Sequence, residues 1–271
     1  MQVVILCGGK GTRMREETEY KPKPLVEVGG MPILWHIMKI YAHHGYKDFV
    51  LCLGYKGNMI KEYFRHFEWL ANDFTLYLGK GKGKVVSHVH KPQDWTITFA
   101  DTGIETDTGG RVKRVEKYIK GEDFFLTYGD GLGDVDIRSL YRFHKSRGKI
   151  GTVTGVNPPT RYGVLDTKAG TARSFQEKPV VEGLVNGGFF VFRREFFKYL
   201  DDGPMEQAPL RRLASDGQLS VYEHKGFWQP MDTFKEAEHL NRQWYAGTRP
   251  WMVWEKDFQK AGMTGGKGSA G

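Results

Sequence analysis

Short unbroken apolar runs alternate along the first half of the chain with segments whose apolar residues recur every three to four positions. The runs at 2–7, 48–53 and 124–128 are rich in Val, Ile, Leu and Phe and predict buried strands. Helices are predicted over 33–44, entered through Pro32 and ended near Gly45, over about 56–67, and over about 136–147. This strand-helix rhythm predicts an α/β fold: a mostly parallel, Rossmann-like sheet with right-handed crossovers, flanked by helices. Residues 74–101 break the rhythm with short alternating runs, "TLYL", "KVVSHVH" and "WTITFAD", and predict an inserted antiparallel β region at about 70–105. The second half predicts strands at 150–156, 163–166, 173–176, 188–192 and 219–223, and helices near 194–201, 206–216 and 233–246. Residues 1–254 are expected to form a single domain, and the Gly-rich end, 255–271, a flexible tail.

Composition narrows the class. With 271 residues, 39% hydrophobic and 27% charged, the chain has the profile of a soluble globular protein able to bury a sizeable core. No apolar run approaches the ~20 residues of a membrane span, and the first residues lack the layout of a secretory leader. Cys7 and Cys52 both fall inside strand-like runs, which suits buried thiols in a reducing cytoplasm rather than a disulfide or zinc framework. The net charge of +8 suits polyanionic partners. Without an RNA-recognition, zinc-finger or basic-zipper pattern, small phosphorylated ligands are favoured over nucleic acid. The densest basic stretch, 79–91, reads as a solvated loop or as a phosphate-binding edge.

The chemistry-bearing segment is "LCGGKGTR", residues 6–13. A dinucleotide fingerprint, G-x-G-x-x-G, fits Gly9 and Gly11 but meets Met14 at its third glycine, and no Walker A run exists in the chain. A surface turn leading into a Pro-rich connector stays open. Glycines following a first parallel strand can instead bring backbone N–H groups close to an anion. Arg13 then offers a fork for phosphate oxygens, and Lys23, held between Pro22 and Pro24, a point charge.

"GGKGTR" followed by "KPKPLVEVGGMPIL" resembles the signature of the sugar nucleotidyltransferases, the sugar-nucleotide pyrophosphorylases. The resemblance continues through "TGGR" (108–111), "TYGDG" (127–131), "FQEKP" (175–179), "NGGFFVF" (186–192) and "GFWQPMDT" (226–233), and so covers about residues 1–254. With "ILWHIMKIYAHHG" it points to the CDP-glucose-forming branch, which joins CTP and α-D-glucose 1-phosphate with Mg²⁺ and releases pyrophosphate. Related pairs using dTTP or UTP, and a non-catalytic sugar-nucleotide-binding regulator, are the alternatives. The resemblance also implies a cytoplasmic, trimer-based homo-oligomer, for which the aromatic-rich 60–101 region is a candidate contact.

The reaction so implied brings a sugar phosphate up to a triphosphate of about −4, a repulsive approach unless cations intervene. Arg13 is assigned to the β- and γ-phosphates and Lys23 to the α-phosphate and the attacking phosphate. The resemblance assigns the nucleotide to Leu6, Cys7, Gly8, Gly9, Lys10, Gly11, Thr12 and Arg13, with Thr106, Arg111 and Gly129. It assigns the metal to Asp130 and Asp232, and the sugar phosphate to Glu177, Lys178, Asn186 and Gly187. Asp130 also reads as a turn residue, and Asp232 as the N-cap of the helix that follows. Lys10, often Leu in relatives, touches phosphate or points into water. Tyr128 and Trp228 read more readily as core than as stacking platforms.

Overall fold

A computed structural model describes residues 1–88, 93–160, 164–177, 179 and 183–255. Seven strands make the central sheet: β1 (Gln2–Leu6), β2 (Asp48–Leu53), β3 (Thr96–Asp101), β4 (Asp123–Tyr128), β5 (Gly151–Val156), β6 (Val185–Arg193) and β7 (Leu219–His224). Their order across the sheet is β7-β5-β6-β4-β1-β2-β3. Every neighbouring pair is parallel except those of β6, which runs antiparallel to both β4 and β5.

The unbroken apolar letters of β1 follow from burial on both faces. Val3 and Ile5 join one core with α1 (Ile33–His43), α4 (Ile137–Arg147) and α6 (Phe234–Tyr245), while Val4 and Leu6 join the other with α3 (Thr108–Arg114) and α5 (Ala208–Ser215). The chain leaves β1 toward β2 on one side, whereas β4 pairs on the other. Such a reversal opens a crevice beyond the carboxyl ends of the two strands, where ligands of α/β sheets bind.

The structure revises several expectations. Of the three runs in 74–101, only the first two form a separate hairpin, Phe74–Tyr77 with Lys84–Ser87. The third is β3, parallel to β2 at the sheet edge, because its Ile97, Phe99 and Ala100 have core to cover. The helix after β2 is interrupted at His66, giving α2 (Gly57–Arg65) and a short turn, Phe67–Ala71. Arg194–Tyr199 is 3₁₀ rather than α. The "TGGR" segment forms the first turn of α3. The strand expected at 163–166 is Val164–Lys168, paired with Thr171–Gln176. Among the described residues no helix is long and apolar enough to cross a membrane. The tail from 256 onward lies outside the described residues.

An aromatic cage fastens the C-terminal segment to α1. The rings of Trp35, Trp244, Trp251 and Trp254 surround the fully buried His36. Its Nε2 lies 2.8 Å from the Val28 carbonyl, and Trp251 Nε1 donates to its Nδ1 at 3.4 Å. Burial lowers its pKa to about 4, so the cage holds a neutral imidazole.

Candidate active site

The carboxyl ends of β1 and β4 are joined by Gly129 N donating to Leu6 O at 3.0 Å, and those of β1 and β2 by Cys7 N donating to Cys52 O at 3.0 Å. The glycine loop springs from this platform. Gly11 has φ +63°, a conformation glycine adopts without strain, and the Thr18 hydroxyl donates to its carbonyl at 3.1 Å. Gly8 is glycine for another reason: a Cβ there would lie 2.1 Å from Nη1 of Arg111. Arg111, 4% exposed, gives Nη1 to Leu53 O, Thr102 Oγ1 and Gly103 O, and Nη2 to Gly8 O and Ile104 O, at 2.7–3.2 Å. It thus ties the end of β2 to the loops that follow β1 and β3.

Four charged side chains meet above the platform. Lys23 Nζ lies 2.6 Å from Asp130 Oδ2 and 2.7 Å from Asp232 Oδ1, and Arg13 Nη2 lies 2.9 Å from that same Asp232 oxygen. Lys23 starts a 3₁₀ turn whose Pro24 and Leu25 are buried, which anchors its backbone, and its side chain is only 11% exposed. Burial acts to lower its pKa, but the charges and hydrogen bonds of the two aspartates outweigh this and hold the ammonium above the ordinary lysine range.

The aspartates converge through a short ladder. Gly131–Gly133, just after Asp130, pairs antiparallel with Trp228–Pro230, just before Asp232, and Met231 N donates to Asp130 O at 2.8 Å. The cap of α6 is Thr233, in a capping box with Glu236, so Asp232 is not the helix cap. Its backbone N–H also donates to Glu236 Oε2 at 2.7 Å, which fixes the turn that aims the carboxylate at Lys23.

Two cavities share this cluster. A crevice of about 340 Å³ is lined by Leu6, Cys7, Gly8, Gly9, Gly11, Thr12, Thr106, Thr108, Arg111 and Gly129, among others, and a cleft of about 970 Å³ by Asn186, Gly187, Gly188, Trp228 and the Lys235, His239 and Arg242 side of α6. Arg13, Tyr128, Asp130 and Asp232 line both. Trp228 lines the cleft and donates its indole N–H to Gly187 O at 2.7 Å, so it serves the wall and not only the core. Thr106 Oγ1 accepts from Arg114 Nη1 at 2.7 Å. Cys7, buried beneath the crevice, has its pKa driven up by burial first and by the nearby Cys52 and Asp130 charges next, so it is an inert thiol.

Two expected residues stand apart from the cavity walls. Lys10 pairs with Glu105 at 2.6 Å and lines neither cavity. Glu177 lies at the end of the exposed Thr171–Gln176 strand and also lines neither. Lys178 falls outside the described residues. Lys80, Lys82 and Lys84 of the basic stretch line neither cavity. Sequence reasoning missed Lys235, His239 and Arg242, whose i, i+4, i+7 spacing marks one helix face, and it missed Thr108.

Two carboxylates stand beside two cations at the switch point of a parallel sheet and between two cavities, an arrangement suited to phosphate-bearing ligands. The sequence profile of the nucleotidyl transferase family matches residues 2–233, and the chain belongs to that family. It is 49% identical to glucose-1-phosphate cytidylyltransferase of Salmonella typhimurium over 259 residues, 94% of this chain and 100% of that one. It is likewise 49% identical to the enzyme of that name from Salmonella typhi over the same shares of the two chains. In fold it is similar to the crystal structure of HddC from Yersinia pseudotuberculosis, with a TM-score of 0.66 at 22% identity over 90% of this chain and 99% of that one.

Proposed function

We propose that the chain transfers a cytidylyl group from CTP to α-D-glucose 1-phosphate, giving CDP-glucose and pyrophosphate. The observation that carries this reading is the Arg13–Asp232–Lys23–Asp130 cluster at the junction of the two cavities. The full-length similarity to glucose-1-phosphate cytidylyltransferases supplies the base and the sugar. On this reading the crevice holds the nucleotide and the cleft the sugar phosphate. A sugar-phosphate oxygen attacks the α-phosphorus, the new P–O bond forms as the bond to the β-phosphate bridging oxygen breaks, and pyrophosphate departs with that electron pair. Lys23 neutralises the α-phosphate and the attacking group, and Arg13 the leaving pyrophosphate; such transfer is mostly positioning and charge stabilisation.

Asp130 and Asp232 suit a divalent cation of the Mg²⁺ type, which binds through one or two carboxylates and completes its shell with substrate phosphates and water. When bound, the cation supplies charge stabilisation to the phosphates. Asp130 and Asp232 would hold it, and Lys23, which neutralises both aspartates here, would be free to pair with phosphate. Asn186 and Gly187, on the wall of the cleft, serve the sugar. Residues 1–254 act as one catalytic domain, working in the cytoplasm as a trimer-based homo-oligomer. The exposed Phe74, Leu76, Tyr77 and Leu78 of the hairpin support a contact between copies.

Pyrophosphate release with glucose 1-phosphate and each of the four nucleoside triphosphates tests the reading. Release with CTP alone is expected; a preference for dTTP or UTP replaces the base assignment, and no release with any removes the catalytic one.

A further inference from the structure

Tyr128, at the end of β4, is one of the four residues that line both cavities. Its hydroxyl donates to Glu206 Oε1 at 2.6 Å and accepts from Asn186 Nδ2 at 3.1 Å. The other Glu206 oxygen accepts from the Thr108 hydroxyl at 2.6 Å. Beyond these, Thr108 Oγ1 accepts from Met205 N and Asn186 Oδ1 from Gly188 N, each at 2.9 Å. An unbroken chain of hydrogen bonds therefore runs from the first turn of α3, on the crevice, to the Asn186–Gly188 wall of the cleft. Glu206 stands at its middle and lines neither cavity.

The carboxylate sets the direction of every bond in the chain. An ionised carboxylate only accepts, so both hydroxyls must donate to it. Tyr128 then offers its lone pair to the Asn186 amide nitrogen, which turns the amide oxygen toward Gly188 N. Thr108 offers its own to Met205 N. Hydrogen bonds to a charged acceptor are stronger than neutral ones and hold geometry accordingly. The raised pKa of Tyr128, from burial and then the Glu206 charge, keeps its phenol a donor.

We propose that Glu206 is a positioning residue for both subsites: from outside the two cavities it fixes the Tyr128 partition, the Thr108 side of the nucleotide crevice and the Asn186 side of the sugar-phosphate cleft. The proposal rests on the reading of the crevice and cleft as CTP and glucose 1-phosphate sites. A residue that only props up one wall would affect one ligand; Glu206 affects both.

The test is calorimetric titration of the full chain with CTP and with glucose 1-phosphate separately, so that no turnover intervenes. Losing two charge-assisted hydrogen bonds in Glu206→Ala is expected to weaken each ligand roughly tenfold. A loss confined to one ligand, or none, overturns the proposal. If Glu206→Ala does not fold, Glu206→Gln keeps the volume. Its amide puts a donor nitrogen where one carboxylate oxygen accepted, which reverses one bond of the chain and loosens the Tyr128 partition; a smaller loss for both ligands is expected, and a loss confined to one, or none, overturns the proposal. A wild-type chain that binds neither ligand removes the reading of the cavities and the proposal with it. A wild type that binds both, with Glu206→Ala binding both equally well, removes the proposal alone.

Discussion

The guanidinium of Arg111 lies against the backbone of Gly8, donating to its carbonyl at 3.0 Å and occupying the space a Cβ would need. Its other donors go to carbonyls and one hydroxyl at the end of β2 and in the loop after β3. The residue assigned to the nucleotide is therefore also what gives the crevice its floor.

Arg111→Lys keeps the charge but offers a point donor where a planar fork now reaches five acceptors. Stranding buried acceptors costs about 1–3 kcal/mol each, so a loss of roughly 2–4 kcal/mol in denaturant melts is expected for one or two of them. Gly8→Ala expels the same guanidinium and is expected to destabilise comparably, with weaker CTP binding by calorimetry. A Gly8→Ala protein with wild-type stability and CTP affinity would show that the loop yields without cost.

Lys23→Met removes the ammonium that both aspartates share. Turnover is expected to fall by roughly 10²–10³, the cost of one transition-state donor. The folded pKa of Lys23 is raised, so its contribution to stability is fully present below the unfolded lysine value of about 10.4 and is lost as pH rises through the higher folded value. Melting curves should accordingly show wild type and variant converging above about pH 10.4. A stability gap that holds constant into that range contradicts the pairing.

Asp130→Asn and Asp232→Asn should each lower product formation by at least roughly 10²-fold, and chelation of divalent ions should stop it in the wild type. Pyrophosphate release at saturating substrates is the measurement. Unchanged release from Asp130→Asn refutes its metal role.

His36 takes up a proton near pH 4 when folded, against about 6.5 when unfolded. Between those values the unfolded chain binds more protons, so stability falls as pH drops through the window, by roughly 3 kcal/mol in all. His36→Gln should be less stable than wild type at pH 7 yet lose less on going to pH 4, as read from urea unfolding at both. Equal losses would mean that the cage does not disfavour the charged imidazole.

Leu76 and Leu78 are 47% and 78% exposed on the hairpin. Replacing both with Glu should dissociate the proposed oligomer, with sedimentation reporting the change, while the melting temperature stays near wild type. A wild-type assembly state in the double variant moves the interface elsewhere.

By itself the sequence determined what depends on neighbours in the chain. Period and composition marked β1, β2, β4 and the main helices, because burial on two faces or one stripe writes itself into consecutive letters. The glycines, Arg13 and Lys23 announced an anion-binding loop because those residue types suit that chemistry locally. Only the tertiary structure decided which distant parts meet. Asp130 and Asp232 converge because a three-residue ladder pairs their flanks, a partnership between strands too short to carry a pattern. Residues 96–101 read as part of an insertion because their alternating letters suit an edge strand in any sheet, and the neighbour, β2, was the missing information. Lys10 turns to Glu105 and Arg111 turns inward because side-chain direction follows from what surrounds a residue, not from its type. Glu206 had no local signal at all: an acidic residue in a short connection acquires a positioning role only once the distant segments carrying Thr108 and Tyr128 fold against it.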